Sequence, residues 1–278
     1  MLKDRISEGV YAVISDLYFE VTAGFIITPE GVILIDSFPF PSEAREFKKA
    51  VLKETSLPIR YLILTHYHAD HSLGSYLFEE AEIIAHEKTR TLLRTEGAKR
   101  LAEAKRQNPD LEEARIVLPH ITFSGEMYLY LGGKHLRLFE LPGHSPDSIA
   151  IFIEEGGILF AGDLVMPIPY LADGDVDTMI ASFESLKELN IEQLVQGHRG
   201  VLLRGEIPGV LDENINYLKA IKAKVSKAVE EGLPLEKVLE IDVEDCGKSR
   251  IVMGNMTNYI HRANLAALYR ALTGSDAR

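Results

Sequence analysis

A nearly unbroken apolar run, residues 59–65, ends directly in His66-Tyr67-His68-Ala69-Asp70-His71. An apolar run without polar alternation suits a strand buried on both faces. Such a strand needs covering layers on each side, so the chain is expected to be an α/β sandwich. The cluster at its end holds three imidazoles and a carboxylate within six residues. On a strand end or tight turn, His66 and His68 project the same way because side-chain direction has period two. Asp70 and His71, at the start of a helix, can turn toward a second point close by. Imidazole nitrogen and carboxylate oxygen are the common zinc ligands where cysteine is absent.

The rest of the chain supplies the layers. Residues 10–14 and 23–28 read as strands, and Pro29, Glu30 and Gly31 turn the chain into a strand over 32–37. Ser42 is expected to cap a helix through about Thr55, with Glu43 at its positive end. A short helix from about His71 to Glu79 and a strand over 81–85 follow. Residues 87–107 are helical and strongly charged, until Asn108-Pro109-Asp110 breaks the pattern. They read as a helical insertion lying over the body of the fold. Strands are then expected at 126–131, 135–141, 149–153 and 157–161, a helix at 178–189 and a strand at 193–196. Beyond residue 206 the chain is mainly helical. Leu211, Ile215, Leu218, Val225 and Val229 form one apolar stripe, and a last helix stops at Gly274. No flexible linker is evident, so one domain over 1–278 is expected.

Three more polar residues sit where strands end, each directly after a glycine: His144 in Leu141-Pro-Gly-His, Asp163 in Phe160-Ala-Gly-Asp and His198 in Val195-Gln-Gly-His. Glycine there permits a tight turn and close backbone approach. Singly, each is as readily a turn residue as a ligand. Beside the first cluster, a shared metal site becomes the better reading.

With these residues in place, the sequence resembles the metallo-β-lactamase superfamily over about residues 8–205. HxHxDH followed by separated His, Asp and His is a very specific pattern. The resemblance implies a four-layered αββα sandwich carrying C-terminal helices, with two divalent metal ions in a cleft at one edge of the sheets. His66, His68 and His144 would bind one metal, Asp70, His71 and His198 the other, and Asp163 would bridge them. Zinc is the expected metal, with iron or manganese as alternatives. The secreted β-lactamases that carry cysteine at the bridging position are not matched, because this chain has Asp163. The full set resembles the glyoxalase II, lactonase and processing-nuclease branches.

The implied chemistry is hydrolysis by a hydroxide held between two cations about 3.5–4 Å apart. Open coordination positions would polarise a carbonyl or phosphoryl oxygen. Asp70 would orient the hydroxide and help protonate the leaving group. Tyr67 and Tyr170 are candidate oxyanion donors, and Tyr170, in a Pro-rich loop after Asp163, is preferred. His86 is read as a structural, hydrogen-bonded residue, and His120, His135 and His261 as surface or helix residues. Lys88, Arg90, Arg94, Lys99 and Arg100 are read as a solvated helix face. Specificity is expected from 87–107 and 167–177.

Lys and Arg number 30 against 42 Asp and Glu, a formal charge of −12. That balance repels phosphate backbones and argues against a nucleic-acid partner. The expected substrate is therefore a small ester, thioester, lactone or related acyl compound. The alternatives are a phosphodiesterase or RNA-processing nuclease, and a mononuclear iron enzyme of the sulfur dioxygenase type. The single cysteine, Cys246, calls for no oxidising compartment. There is no apolar leader and no membrane-length stretch, so a cytoplasmic location without a membrane partner is expected. A homodimer is left open.

Overall fold

The computed structural model describes residues 1–171 and 173–274. The loop expected to set specificity, 167–177, includes residue 172, which lies outside the described residues, as do the last four of the chain. Contacts divide the chain into two compact units. The first comprises Met1–Leu141, Asp147–Gly162 and Ile191–Leu203, and the second Pro142–Pro146, Asp163–Asn190 and the chain from Arg204.

The first unit holds both sheets. Seven strands pair in chain order: β1 (Leu2–Ser7), β2 (Val10–Ile14), β3 (Thr22–Thr28), β4 (Gly31–Ile35), β5 (Ile59–Ile63), β6 (Glu82–His86) and β7 (Ile121–Phe123). The pairs from β1 to β4 are antiparallel, and those from β4 to β7 are parallel. The other sheet has six strands, β8 (Glu126–Leu131), β9 (Lys134–Glu140), β10 (Ile149–Ile153), β11 (Ile158–Phe160), β12 (Gln193–Val195) and β13 (Val201–Leu203), with β8 and β13 at its edges. Only β11 and β12 pair in parallel there.

Period-two alternation explains how the sheets stack. Val10, Ala12, Ile26, Ile33 and Ile63 share a core with Leu138, Ile149, Ile151 and Phe160 of the other sheet. Gly24 lets the layers close up, since a Cβ there would fall 2.3 Å from the Phe160 ring. The opposite residues, among them Tyr11, Phe25, Leu34 and Leu62, pack on Ala44, Phe47 and Val51 of α1 (Pro41–Glu54). Phe47 lies in ring contact with Phe25, Phe38 and Phe78. Truncating so buried a ring to alanine costs about 3–5 kcal/mol.

Three expectations need correcting at this level. Ser42 does not cap α1: the N-cap is Phe40, without a side-chain cap, and Pro41 starts the helix instead because its fixed φ suits the first turn. The helix expected from His71 begins at Ala69, as α2 (Ala69–Ser72), and tightens into a 3-10 turn over Leu73–Leu77. The insertion is helical as expected, but in three pieces, α3 (Glu87–Leu92), a π turn (Leu93–Gly97) and α4 (Ala98–Gln107).

The second unit contains α5 (Val176–Lys187), α6 (Ile207–Glu230), α7 (Leu235–Val238) and α8 (Asn255–Thr273). Asp175 caps α5 by accepting the Thr178 amide at 2.8 Å, so that helix starts two residues before the expected position. Leu211, Ile215, Leu218 and Val225 of α6 are buried, whereas Ala228 takes the buried place expected for Val229. Gly274 ends α8 in the left-handed region, φ 64°. Among the described residues no helix is long and apolar enough to cross a membrane.

Candidate metal centre

Asp36 and His66 lie just beyond the carboxyl ends of the adjacent parallel strands β4 and β5, where open α/β sheets place ligands. Asp36 is 2 % exposed and accepts three hydrogen bonds: from the Thr65 amide and from the Thr65 hydroxyl, each at 2.8 Å, and from His71 Nδ1, also at 2.8 Å. Burial pushes its carboxyl above the usual range, and the neighbouring His71 opposes that. Asp36 adopts φ 59°, a left-handed conformation that short polar side chains tolerate better than most.

This network fixes the histidine tautomers. Thr65 has one hydroxyl proton and gives it to Asp36. Its oxygen therefore accepts from His66 Nδ1, 3.0 Å away. His198 Nδ1 donates to the Phe19 carbonyl at 2.7 Å, and in the second unit His144 Nδ1 donates to the Tyr170 carbonyl at 2.8 Å. With His71 donating to Asp36, four imidazoles carry their proton on Nδ1 and the lone pair on Nε2, the arrangement that outer partners impose on metal-ligating histidine.

Donor spacing agrees with coordination. Tetrahedral bonds of zinc to nitrogen or oxygen put neighbouring donors about 3.3 Å apart. In the first unit, His66 Nε2 and His68 Nδ1 are 3.1 Å apart, and Asp70 Oδ2 lies 3.4 Å from His198 Nε2 and 3.8 Å from His71 Nε2. In the second unit, His144 Nε2 and Asp163 Oδ2 are 3.5 Å apart. His66, His71, His198, His144 and Asp163 are all buried, and His68 and Asp70 are half-buried. Histidine and aspartate together form a donor set that suits a divalent cation of zinc type, so the residues present fit the expected metal ions.

The strand ends account for these positions. The His198 loop is fastened to the start of β3 and the residues just before it: the Thr22 amide donates to the Gly197 carbonyl and the Arg199 amide to that of Glu20. The Gly197 amide donates to Gly162, whose missing Cβ would lie 3.0 Å from Thr65. Asp163 is the next residue in the chain after this pinned glycine. Leu141 and Ser148, which flank the His144 loop in sequence, are hydrogen bonded to each other, and the Ile149 amide donates to the Thr65 carbonyl.

Other candidates fall outside these groups. His86 is the N-cap of α3, accepting the Lys88 amide and donating to Glu140 at 2.7 Å. His120 and His135 are about half exposed and lie beside acidic side chains. His261 is a helix residue, in α8, and a buried one: it is 2 % exposed, bonded to the Tyr217 hydroxyl and the Ile241 carbonyl. Tyr67 is buried against His68, and the Arg100 guanidinium sits over its ring at 5.4 Å. Arg100 is exposed, as expected of a solvated helix face, and also lines a cavity with His68 and Asp70. Asp36 and the Phe19 carbonyl, the outer partners of His71 and His198, were not singled out from sequence. The one signal for Asp36 is an acidic residue closing the apolar strand β4.

Comparison with known proteins agrees with this picture. The family model described as the metallo-β-lactamase superfamily matches residues 18–198. The chain is 24 % identical over 217 residues to a β-lactamase-like protein 2 homolog of Caenorhabditis elegans, covering 76 % of this chain and 65 % of that one. It is 25 % identical over 180 residues to a thioesterase, pkgB, of Emericella nidulans, covering 63 % and 44 %. The chain thus spans less than two thirds of the length of these relatives. Among solved structures, a stereoselective inverting sec-alkylsulfatase from a Pseudomonas species superimposes with TM-score 0.78 at 16 % identity, over 98 % of this chain and 50 % of that one. A metallo-β-lactamase from Pontibacter korlensis does so with TM-score 0.61 at 20 % identity, over 76 % and 97 %. These two likenesses establish the α/β sandwich, and the match to the family model settles membership. The chain belongs to the metallo-β-lactamase superfamily.

Proposed function

We propose that the chain is a two-metal hydrolase of small acyl substrates, namely esters, thioesters or lactones. In this reading His66, His68 and His144 would hold one cation, Asp70, His71 and His198 would hold the other, and Asp163 would be shared between them, as in the superfamily pattern. The observation that carries it is the common tautomer of four imidazoles, whose Nε2 lone pairs stand at coordination spacing from neighbouring donors. When bound, two divalent cations supply a Lewis acid and lower the pKa of water toward neutrality. Zinc is the metal we assign.

The protein groups do the rest. Asp70, half-buried, orients the attacking water and passes its proton to the leaving group. Asp36 and Thr65 keep His71 and His66 in the ligating tautomer. Tyr170 contributes its carbonyl to orient His144, and we assign its hydroxyl to the developing oxyanion. Tyr170→Phe separates the two roles, because it keeps the carbonyl and removes only the hydroxyl. The net charge of −12 and the relative named as a thioesterase support an acyl substrate rather than a nucleic acid.

The test is elemental analysis of the purified protein followed by a panel of lactone, thioester, β-lactam and phosphodiester substrates. Two zinc ions per chain with thioester, ester or lactone turnover supports the reading. One iron per chain, or turnover of phosphodiesters alone, overturns it in favour of a sulfur dioxygenase type or a phosphodiesterase.

A further inference from the structure

Beside the metal-binding loop lies a cavity of about 290 Å³, walled by Phe40, Tyr67, Leu73, Leu101, Ala104 and Leu111 and bordered by His68 and Asp70. All of these residues belong to the first unit. We propose that this cavity holds the acyl portion of the substrate, an apolar group of about eight to twelve carbons, and that Ala104 on α4 sets its length. The proposal rests on the hydrolase reading for the word substrate, and on the cavity alone for the apolar ligand.

Three observations carry it. First, the cavity combines mainly apolar walls with a few polar side chains, His68 and Asp70 from the metal-binding loop and Arg100, Gln107 and Asn108 from the insertion side, the composition of a small-molecule site. His68 and Asp70 lie in the metal-binding loop, so a group bound in the cavity has its polar end beside the assigned cations. Second, the volume is about twice the 150 Å³ in which an apolar protein cavity accommodates benzene. That space fits roughly ten carbons. Third, the apolar wall contributed by the insertion includes two small residues. Gly97, Leu101 and Ala104 recur at helical spacing on one face. Gly97 has helical φ −59°, and a Cβ there would meet nothing closer than 3.4 Å, so neither backbone nor neighbours require glycine. Its effect is to leave room beside the cavity, at a cost in helix stability. It closes the π turn Leu93–Gly97, a helix irregularity that occurs often at functional sites.

The remaining faces of α4 explain why composition hid this role. None of its residues is fully buried, and its outer positions carry Lys99, Glu103, Lys105 and Arg106. Leu101 and Ala104 pack with Leu73, Leu111 and Ile116, so the charged helix has a narrow apolar seam facing the cavity.

The experiment uses 1-decanol, an uncharged probe with no strong metal-ligating group, and the full-length protein as purified. Calorimetry should show saturable binding of one decanol per chain. Ala104→Phe, which fills the space, should weaken it by about tenfold or more, with metal content per chain retained. In a p-nitrophenyl ester series from acetyl to hexadecanoyl, the same variant should move the best substrate to shorter chains, and Leu101→Ala, which enlarges the space, to longer ones. Leu101→Ala keeps the test decisive if phenylalanine at 104 impairs folding. Absence of saturable decanol binding, or binding and chain-length preference unmoved by both variants, overturns the proposal while leaving ester hydrolysis intact. Decanol binding that Ala104→Phe blocks, in a protein that turns over no ester, thioester or lactone, keeps the apolar site and removes the hydrolase reading instead.

Discussion

Asn264 on α8 and His144 are joined through one short segment of backbone. The Asn264 amide donates to the Pro169 carbonyl at 2.7 Å, and its oxygen accepts the Leu171 amide at 2.8 Å. Between those two bonds lies the Tyr170 carbonyl, which receives His144 Nδ1. A fully buried asparagine in the last helix thereby fixes the direction of an acceptor, and the acceptor fixes the ring of an assigned metal ligand.

Asn264→Ala should therefore weaken metal binding by about 10–100-fold, the usual consequence of losing outer support. Competition with a chelator measures it. Tyr217→Phe is the control, since it removes a different bond of the same amide, at 3.1 Å, and leaves the Pro169–Leu171 clamp in place. If both variants lose stability equally and neither changes metal affinity, Asn264 serves packing alone.

Asp36→Asn tests the support on the first-unit side. The new amide group would point N–H donors at the Thr65 hydroxyl or His71 Nδ1, both of which now donate to Asp36. His71 would be driven toward the other tautomer, with its proton on Nε2. Metal per chain should fall, and hydrolysis with it, by about 10–100-fold. Full metal content and normal turnover in this variant would show that the tautomer is set by something other than Asp36.

Much of this architecture was legible because buried strands announce themselves. Residues 10–14 and 149–153 are apolar on both faces, 59–65 nearly so apart from Arg60, and the glycines before His144, Asp163 and His198 marked the strand ends that carry polar side chains. What escaped reading has a common physical cause. β1 is an edge strand with four exposed residues, and β7 and β13 are edge strands of three residues. Edge strands pair on one side only and bury little, so they leave no hydrophobic period to detect. Asp36 and Asn264 act on ligands 35 residues or more away in sequence, and nothing local distinguishes them from turn or helix residues. Arg100 is exposed as expected, but its place beside a cavity leaves no sequence signal, because the apolar seam next to it is only Gly97, Leu101 and Ala104 wide. The insertion is also less dispensable than its charge suggested: Leu93 is buried, and the Thr89 hydroxyl donates to buried Asp147 at 2.8 Å.

His261 gives a pH signature that belongs to the helical unit. Its Nδ1 accepts from the Tyr217 hydroxyl at 2.9 Å and its Nε2 donates to the Ile241 carbonyl at 3.0 Å. That pairing uses the neutral ring, and burial lowers its pKa from 6.5. The unfolded chain then binds the proton more readily than the folded one. The contribution is present above about pH 6.5 and is lost as pH falls through the lower folded value. Denaturation midpoints should drop across that interval, and His261→Gln should flatten the drop while lowering stability at neutral pH. An unchanged acid slope in the variant would assign the effect to other groups.

Asp163 is the residue on which the two-metal reading depends most. Its Oδ2 lies 3.5 Å from His144 Nε2 and its side chain is buried. A carboxylate between two cations offsets their repulsion and fixes their spacing, which a methyl group cannot do. Asp163→Ala should lose at least one metal per chain and move the rate-determining ionisation to higher pH, so that neutral-pH hydrolysis falls by about 100-fold or more. The fold should survive, because the sheet cores are built from apolar side chains that the substitution leaves in place. His120→Ala is the matched comparison. That ring is half exposed and accepts the Ile83 amide at 3.0 Å, beside Glu82, so metal content and rate should both stay near wild type. Two metals and near-normal hydrolysis in Asp163→Ala would mean that the cations are held together by other donors, and the bridging assignment would have to be withdrawn.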